Sequence, residues 1–222
     1  MKVAVLSESG VDEAIVAEIV RAILPDPIEC VDLALRTRGI QYLLASAFVS
    51  RAKFCAFKPD IHGLVCVVDA DLKQSHSESQ SCWSPCLASI EDFRACHSEC
   101  RLCNLRRQWV ETRLAERRTE DRLPVLRIAM GLAVPSIETW LLAGTSDGVD
   151  ETTWNGLNDR EKQSYRDRVK RIVFGDLKGF DRRREIAQER IVHVIGTLGI
   201  DGLGRLFPDG LGALRNDLEA WH

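Results

Sequence analysis

Hydrophobic residues fall first into short unbroken runs. Val3-Ala4-Val5-Leu6 and Leu64-Val65-Cys66-Val67-Val68 are apolar at every position, the pattern of strands buried on both faces of a parallel sheet. Between them the period changes. Val11, Ile15, Ile19 and Ile23 recur every four residues, which predicts a helix over 11–24, stopped by Pro25-Asp26-Pro27. Residues 28–35 predict a second strand, 39–52 a second helix, 63–68 a third strand and 125–134 a fourth. A helix is expected over 104–119, and Pro135 suits the first turn of a helix carrying Glu138 and Trp140. From about Asp159 the chain reads as helical pieces, broken near Gly199, Gly204 and Gly210. No internal repeat is visible.

Strand alternating with helix gives an α/β class with a mainly parallel sheet flanked by helices. The expected organisation is an α/β domain over 1–145 and a helical C-terminal extension over 146–222 packed on it. Residues 72–103 interrupt the pattern, being rich in Ser and Cys and poor in aliphatics, so an insertion is placed at about 74–104.

Composition narrows this little. The chain has 222 residues, 45% hydrophobic and 28% charged, with a formal net charge of −3, ordinary values for a globular protein. No run approaches the roughly 20 apolar residues that span a bilayer, and no signal-peptide pattern opens the chain. A cytoplasmic location without membrane contact is expected. Nucleic-acid-binding domains are usually basic, so the net charge argues mildly against that class unless acidic metal ligands offset basic patches.

The chemistry lies where strands should end. Ser7-Glu8-Ser9-Gly10-Val11-Asp12 follows the first run, and Asp69-Ala70-Asp71 follows the third strand. Ligands of open α/β sheets bind beyond the carboxyl ends of the strands, so Glu8, Asp69 and Asp71 are expected to converge. Oxygen-only clusters suit Mg²⁺, which keeps positions for water and phosphate. Taken singly, a polar turn explains the Asp-x-Asp and a helix cap explains the Glu. Glu138, in a first helical turn, fits either capping or a second-metal or substrate role. Lys73 follows Asp71 closely enough to stabilise charge on a phosphate, or is a loop lysine.

These residues resemble the TOPRIM domain: a Glu in a strand-to-helix loop, Gly two residues on, Asp four residues on, then Asp-x-Asp closing a later strand. Here Glu8-Ser9-Gly10 displaces the usual glycine by one. Ala133-Val134-Pro135-Ser136-Ile137-Glu138-Thr139-Trp140-Leu141-Leu142 is similar to the Pro-x-x-Glu-x-Trp-Leu-Leu segment of small stand-alone TOPRIM-like phage-defence proteins, the RloB-like group among them, while the TOPRIM domain itself is shared with the overcoming-lysogenisation-defect nucleases. The resemblance covers about residues 1–145. It implies a Rossmann-like TOPRIM core, Glu8 as acid/base and metal-linked residue, Asp69 and Asp71 as metal ligands, and Asp12 as an accessory acid. It implies a Mg²⁺- or Mn²⁺-dependent nuclease acting on DNA or RNA, with an ATPase or other defence-system protein as a partner. A topoisomerase would need a tyrosine nucleophile in a further domain, and Tyr42 and Tyr165 are the two tyrosines. A primase would need a polymerase region beyond this length. The oligomeric state is left open.

Five of the eight cysteines fall within 22 positions: Cys82, Cys86, Cys96, Cys100 and Cys103, beside His76 and His97. Cys-x₃-Cys, thirteen residues, then Cys-x₂-Cys resembles structural zinc spacing. Clustered cysteines in a reducing compartment favour metal over disulfides. The expected Zn²⁺ set is Cys82, Cys86, Cys100 and Cys103, with Cys96 or His97 as substitutes for one member. Cys30, Cys55 and Cys66 lie in apolar stretches and are expected in the core.

Residues 94–122 carry eight arginines against five acids. Arg101, Arg106, Arg107 and Arg113 could follow a phosphate backbone, or form a solvated helix face with internal ion pairs. The same choice applies to Arg182-Arg183-Arg184. Two functional classes therefore stand: a metal-dependent phosphodiester hydrolase, and a non-catalytic scaffold that binds nucleic acid or protein with a structural zinc module.

Overall fold

The computed structural model describes residues 1–25, 27–32, 47–73, 100–116 and 126–221. Among the described residues four parallel strands build the sheet: β1 (Lys2–Leu6), β2 (Glu29–Asp32), β3 (Gly63–Asp69) and β4 (Arg127–Ala133). Their spatial order is β2-β1-β3-β4. Leu6 pairs with Cys66 and Asp69 with Ala133, so three neighbouring strands end close together. The chain steps from β1 outward to β2 and then returns to the other side of β1. This reversal between β1 and β3 makes a switch point, where open α/β sheets leave a crevice.

The unbroken apolar runs are explained by burial on both faces. Val3 to Leu6 and Leu64 to Val68 are all buried. Helix α1 (Gly10–Ile23) follows β1, with Ser9 as its N-cap, and buries Val11, Ile15, Ile19 and Val20. It packs on α6 (Phe180–Leu206), and α7 (Ala213–Glu219) covers β4 from the same layer. Helices α2 (Phe48–Ala56) and α3 (Arg101–Glu116) pack on each other and on β3. The result is a parallel sheet flanked by helices around one hydrophobic core.

The C-terminal third is tied to this core by polar contacts as well as packing. Helix α4 (Glu151–Gly156) carries Glu151, which is 1% exposed and accepts from the Asp209 and Gly210 amides at 2.7 and 2.9 Å. A carboxylate can be buried this way because hydrogen bonds to its charged form offset lost hydration. Gly210 lies in a π-helical turn, Pro208–Gly212. A Cβ there would stand 1.9 Å from the Leu132 carbonyl oxygen, so only glycine admits this contact between the turn and β4. Asp217 of α7 accepts from the Met130 amide and pairs with Arg106 at 3.3 Å.

Several boundaries differ from the sequence reading. The second strand is described over Glu29–Asp32, and the remainder of its expected range, 33–35, lies outside the described residues. The expected helix over 39–52 is described from residue 47 onward and runs to Ala56. The helix expected at 104 starts at Arg101. Helix α6 passes through Gly204 without a break and kinks at Gly199, where φ is +67°. The segment after Pro135 is a 3₁₀ helix, Ile137–Leu142. Among the described residues no helix is long and apolar enough to cross a membrane.

Candidate functional site

The site grows from the exits of β1, β3 and β4. Ser7 donates its hydroxyl to the Val67 carbonyl at 2.7 Å, pinning the β1 exit to β3. Glu8 then turns toward β3, and its Oε1 accepts from the Asp69 amide at 3.0 Å. The β3 exit is joined to β4 by two backbone bonds, Ala70 N–H to the Ala133 oxygen and Asp71 N–H to the Pro135 oxygen. Asp69 Oδ1 accepts from the Ile137 amide at 2.9 Å, at the start of the 3₁₀ helix carrying Glu138. Asp12 lies in the first turn of α1.

Glu8, Asp12, Asp69 and Glu138 are electrostatic neighbours. Burial, followed by the charges of Asp12, Glu138 and Glu8, holds the Asp69 carboxyl well above the usual carboxylate range. Burial and the Glu138 charge push Asp12 up to about 7, while a hydrogen bond from Ser9 opposes the shift. Glu8 is also raised, chiefly by burial, and the Asp69 amide and Arg101 partly offset this. Like charges in a dry pocket disfavour ionisation in this way. Glu138 is 8% exposed, and its Oε2 is buried with no hydrogen-bond partner among the described residues. Its Oε1 stands 3.8 Å from Lys170.

Asp71 belongs to a different arrangement. Its Oδ2 lies 2.7 Å from Arg101 and its Oδ1 lies 3.0 Å from Arg166. Arg101 also donates to the Asp69 carbonyl at 2.5 Å and stands 3.9 Å from Glu8. Asp71 has φ +51°, a left-handed conformation few non-glycine residues adopt.

Helix α5 (Asp159–Phe174) brings in Arg166 and Lys170, which the sequence reading did not single out. Its capping box, Asn158 with Glu161, sets its start, and Tyr165, Val169 and Val173 form its buried stripe. Arg166 and Lys170 each follow a stripe residue, which turns both to the edge of the buried face. That spacing was the available signal. A cleft of about 430 Å³ opens beside the acids, lined by Asp12 and Glu138 on one side and Lys170, Arg171, Phe174 and Arg183 on the other.

The remaining candidates scatter. Lys73 is exposed, with its amide bonded to the Ala70 carbonyl. Arg106 is a buried structural partner of Asp217, Arg107 bonds Asn104, and Arg113 lies over the Trp109 ring. Arg182 pairs with Glu185, and Arg183 bonds the Leu177 carbonyl and covers the Phe174 ring. Cys100 and Cys103 are buried at the start of α3. Cys82, Cys86, Cys96, His76 and His97 lie outside the described residues. Cys55 and Cys66 are buried and Cys30 partly so.

The donor chemistry at the strand exits, four carboxylates of which Glu138 carries an orphaned buried oxygen and Glu8, Asp12 and Asp69 have raised proton affinities, fits a hard cation. The geometry is not yet a coordination shell. Among the described residues no three His, Cys, Asp or Glu side chains are grouped to hold a metal ion. Asp12 and Glu138 both line the cleft. Asp71 does not fit, because each of its oxygens already holds a guanidinium. No family model matches the chain, and no curated protein or solved structure matches it.

Proposed function

We propose that this protein is a TOPRIM-like, divalent-cation-dependent phosphodiester hydrolase acting on DNA or RNA. The observation that carries the reading is the crowding of Glu8, Asp12, Asp69 and Glu138 at the switch point of a parallel sheet, with Glu138 Oε2 buried and unpartnered. Those four carboxylates would hold Mg²⁺ or Mn²⁺, which when bound supplies Lewis-acid stabilisation of a phosphate and a readily ionised water. Asp12, whose proton affinity lies near neutrality, suits taking up or releasing a proton at its own carboxylate at physiological pH. Glu8 is fixed by the Asp69 amide and so keeps one oxygen orientation during turnover. The zinc module rests on the cysteine spacing, and an ATPase or other defence partner on the family resemblance.

The test is cleavage of plasmid, single-stranded DNA and structured RNA with Mg²⁺ or Mn²⁺, comparing the parent with Glu8→Gln and Asp69→Asn. Both variants should lose activity by at least about 100-fold, the scale of a lost acid/base group. Equal cutting by parent and variants refutes the assignment. Calorimetric Mn²⁺ titration covers a silent enzyme: no heat with the parent protein also refutes it. The engagement of both Asp71 oxygens favours a second reading, a non-catalytic binding scaffold. That reading expects nucleic-acid binding without any Mn²⁺ heat.

A further inference from the structure

Asp71 and its two arginines form a built unit at the border of the acid cluster. Arg101 comes from α3 and Arg166 from α5, and Asp71 joins them with one oxygen each, at 2.7 and 3.0 Å. The carboxylate is itself anchored. Its amide donates to the Pro135 carbonyl at 2.7 Å, and its φ of +51° is a conformation that persists where surroundings over-determine it. A carboxylate with both oxygens in charge-assisted bonds is a poor ligand for a divalent ion, which would also meet two guanidinium charges at close range.

The same unit suits an anion. Arg166 has Asp71 as its ion-pair partner while Arg101 is shared between Asp71 and Glu8, and the side chains are 14% and 26% exposed, so both guanidiniums are partly desolvated yet reachable. Arg166 Nε is buried with no hydrogen-bond partner among the described residues. Arg101 is held against the Asp69 carbonyl and stands 3.9 Å from Glu8, which sets the positive unit directly beside the acids. Guanidinium forks match phosphate oxygens bidentately. A phosphodiester is the ligand whose charge would meet a cation on one side and arginines on the other.

We propose that Asp71 is a positioning residue, not a metal ligand, and that it presents Arg101 and Arg166 to the non-bridging oxygens of a phosphodiester. This rests on the hydrolase reading above for its substrate, and it assigns the second acid of the Asp-x-Asp pair a role distinct from the first. The arginines bind and orient the phosphate, and Asp71 acts through them.

The experiment compares the full-length parent with Asp71→Asn, Arg166→Gln, Arg166→Lys and Asp69→Asn, each first checked for a cooperative melt. Three readouts are taken: Mn²⁺ affinity by calorimetry, inorganic phosphate affinity, and KM and kcat on a single-stranded oligonucleotide. Asp71→Asn should keep Mn²⁺ affinity within about threefold, while phosphate affinity falls and KM rises by about tenfold or more, the scale of one charge-assisted hydrogen bond. Arg166→Gln should do the same. Arg166→Lys should recover part of the loss, because charge returns without the fork. Asp69→Asn should lose Mn²⁺ affinity instead. A tenfold loss of Mn²⁺ affinity in Asp71→Asn, or unchanged phosphate affinity in Arg166→Gln, overturns the proposal. If the parent binds no Mn²⁺, the hydrolase reading fails. The phosphate arm then decides alone: loss in both Asp71→Asn and Arg166→Gln supports the positioning role, and retention in either overturns it.

Discussion

At pH 8 and without added metal, the Asp12→Asn variant is expected to melt above the parent protein. Asp12 has its carboxyl raised to about 7 from the ordinary 3.8 by burial and by Glu138. A group whose folded proton affinity is raised stabilises the fold below the unfolded pKa, and this contribution is lost as pH rises through the folded one. The relevant window therefore runs from about pH 4 to about pH 7. A shift of this size corresponds to at most about 4 kcal/mol. Asp12 keeps some solvent contact, and the repulsion is shared with Asp69 and Glu138, which roughly halves the recoverable part. The lost carboxylate also sat in the first turn of α1, where the helix dipole favoured it by about 0.5 kcal/mol. The net gain for Asp12→Asn is then about 1–2 kcal/mol at pH 8, or a rise of roughly 3–6 °C for a chain of this size. At pH 4 the gain should vanish, because Asp12 is protonated in the folded parent. Saturating Mg²⁺ should narrow the pH 8 gap by stabilising the parent more than the variant. Thermal melts at pH 4, 6 and 8 check this. A difference independent of pH, or a variant less stable at pH 8, refutes the electrostatic account of the acid cluster.

Two further predictions concern the scaffold. Gly210→Ala should cost about 3 kcal/mol or more, since its Cβ would press 1.9 Å from the Leu132 oxygen and 2.9 Å from Glu151 Oε1. Gly196→Ala, in α6 with open space around it, should instead gain about 0.5–1 kcal/mol from helix propensity. Paired chemical denaturation of the two tests the contrast, and similar effects would contradict it. Asp217→Ala should lose about 3–5 kcal/mol by removing the buried carboxylate that Arg106 and the Met130 amide bond. A loss below 1 kcal/mol in urea titration would show that this pair does not anchor α7.

The strands and the first helix were legible because their cause is local. Val3–Leu6 and Leu64–Val68 are apolar throughout, and a parallel sheet covered on both faces demands that. The Ser9 that displaces the glycine of the resembled motif has a structural reason, since it caps α1. The following Gly10 lies under the Phe180 ring, where a Cβ would approach to 2.7 Å. Glu8, Asp69 and Glu138 were singled out by position, as residues at or beyond strand ends. The fate of Asp71 was not readable, because Arg101 and Arg166 reach it from helices whose docking is set by tertiary packing. Arg106 reads like its neighbours on α3, and only the contact with Asp217, 111 positions away, makes it a buried structural residue.

Helix α5 has a temporal consequence. Domains fold as their segments leave the ribosome, N-terminal parts first. Glu8, Asp12, Asp69 and Glu138 are all synthesised before Arg166 and Lys170 exist, so a nascent chain carries the repelling acids without two of the cations that border them. Such an intermediate should stay loosely assembled at this edge until the later helix docks. On the hydrolase reading proposed above, the arginine assigned to the phosphate is likewise made late in translation.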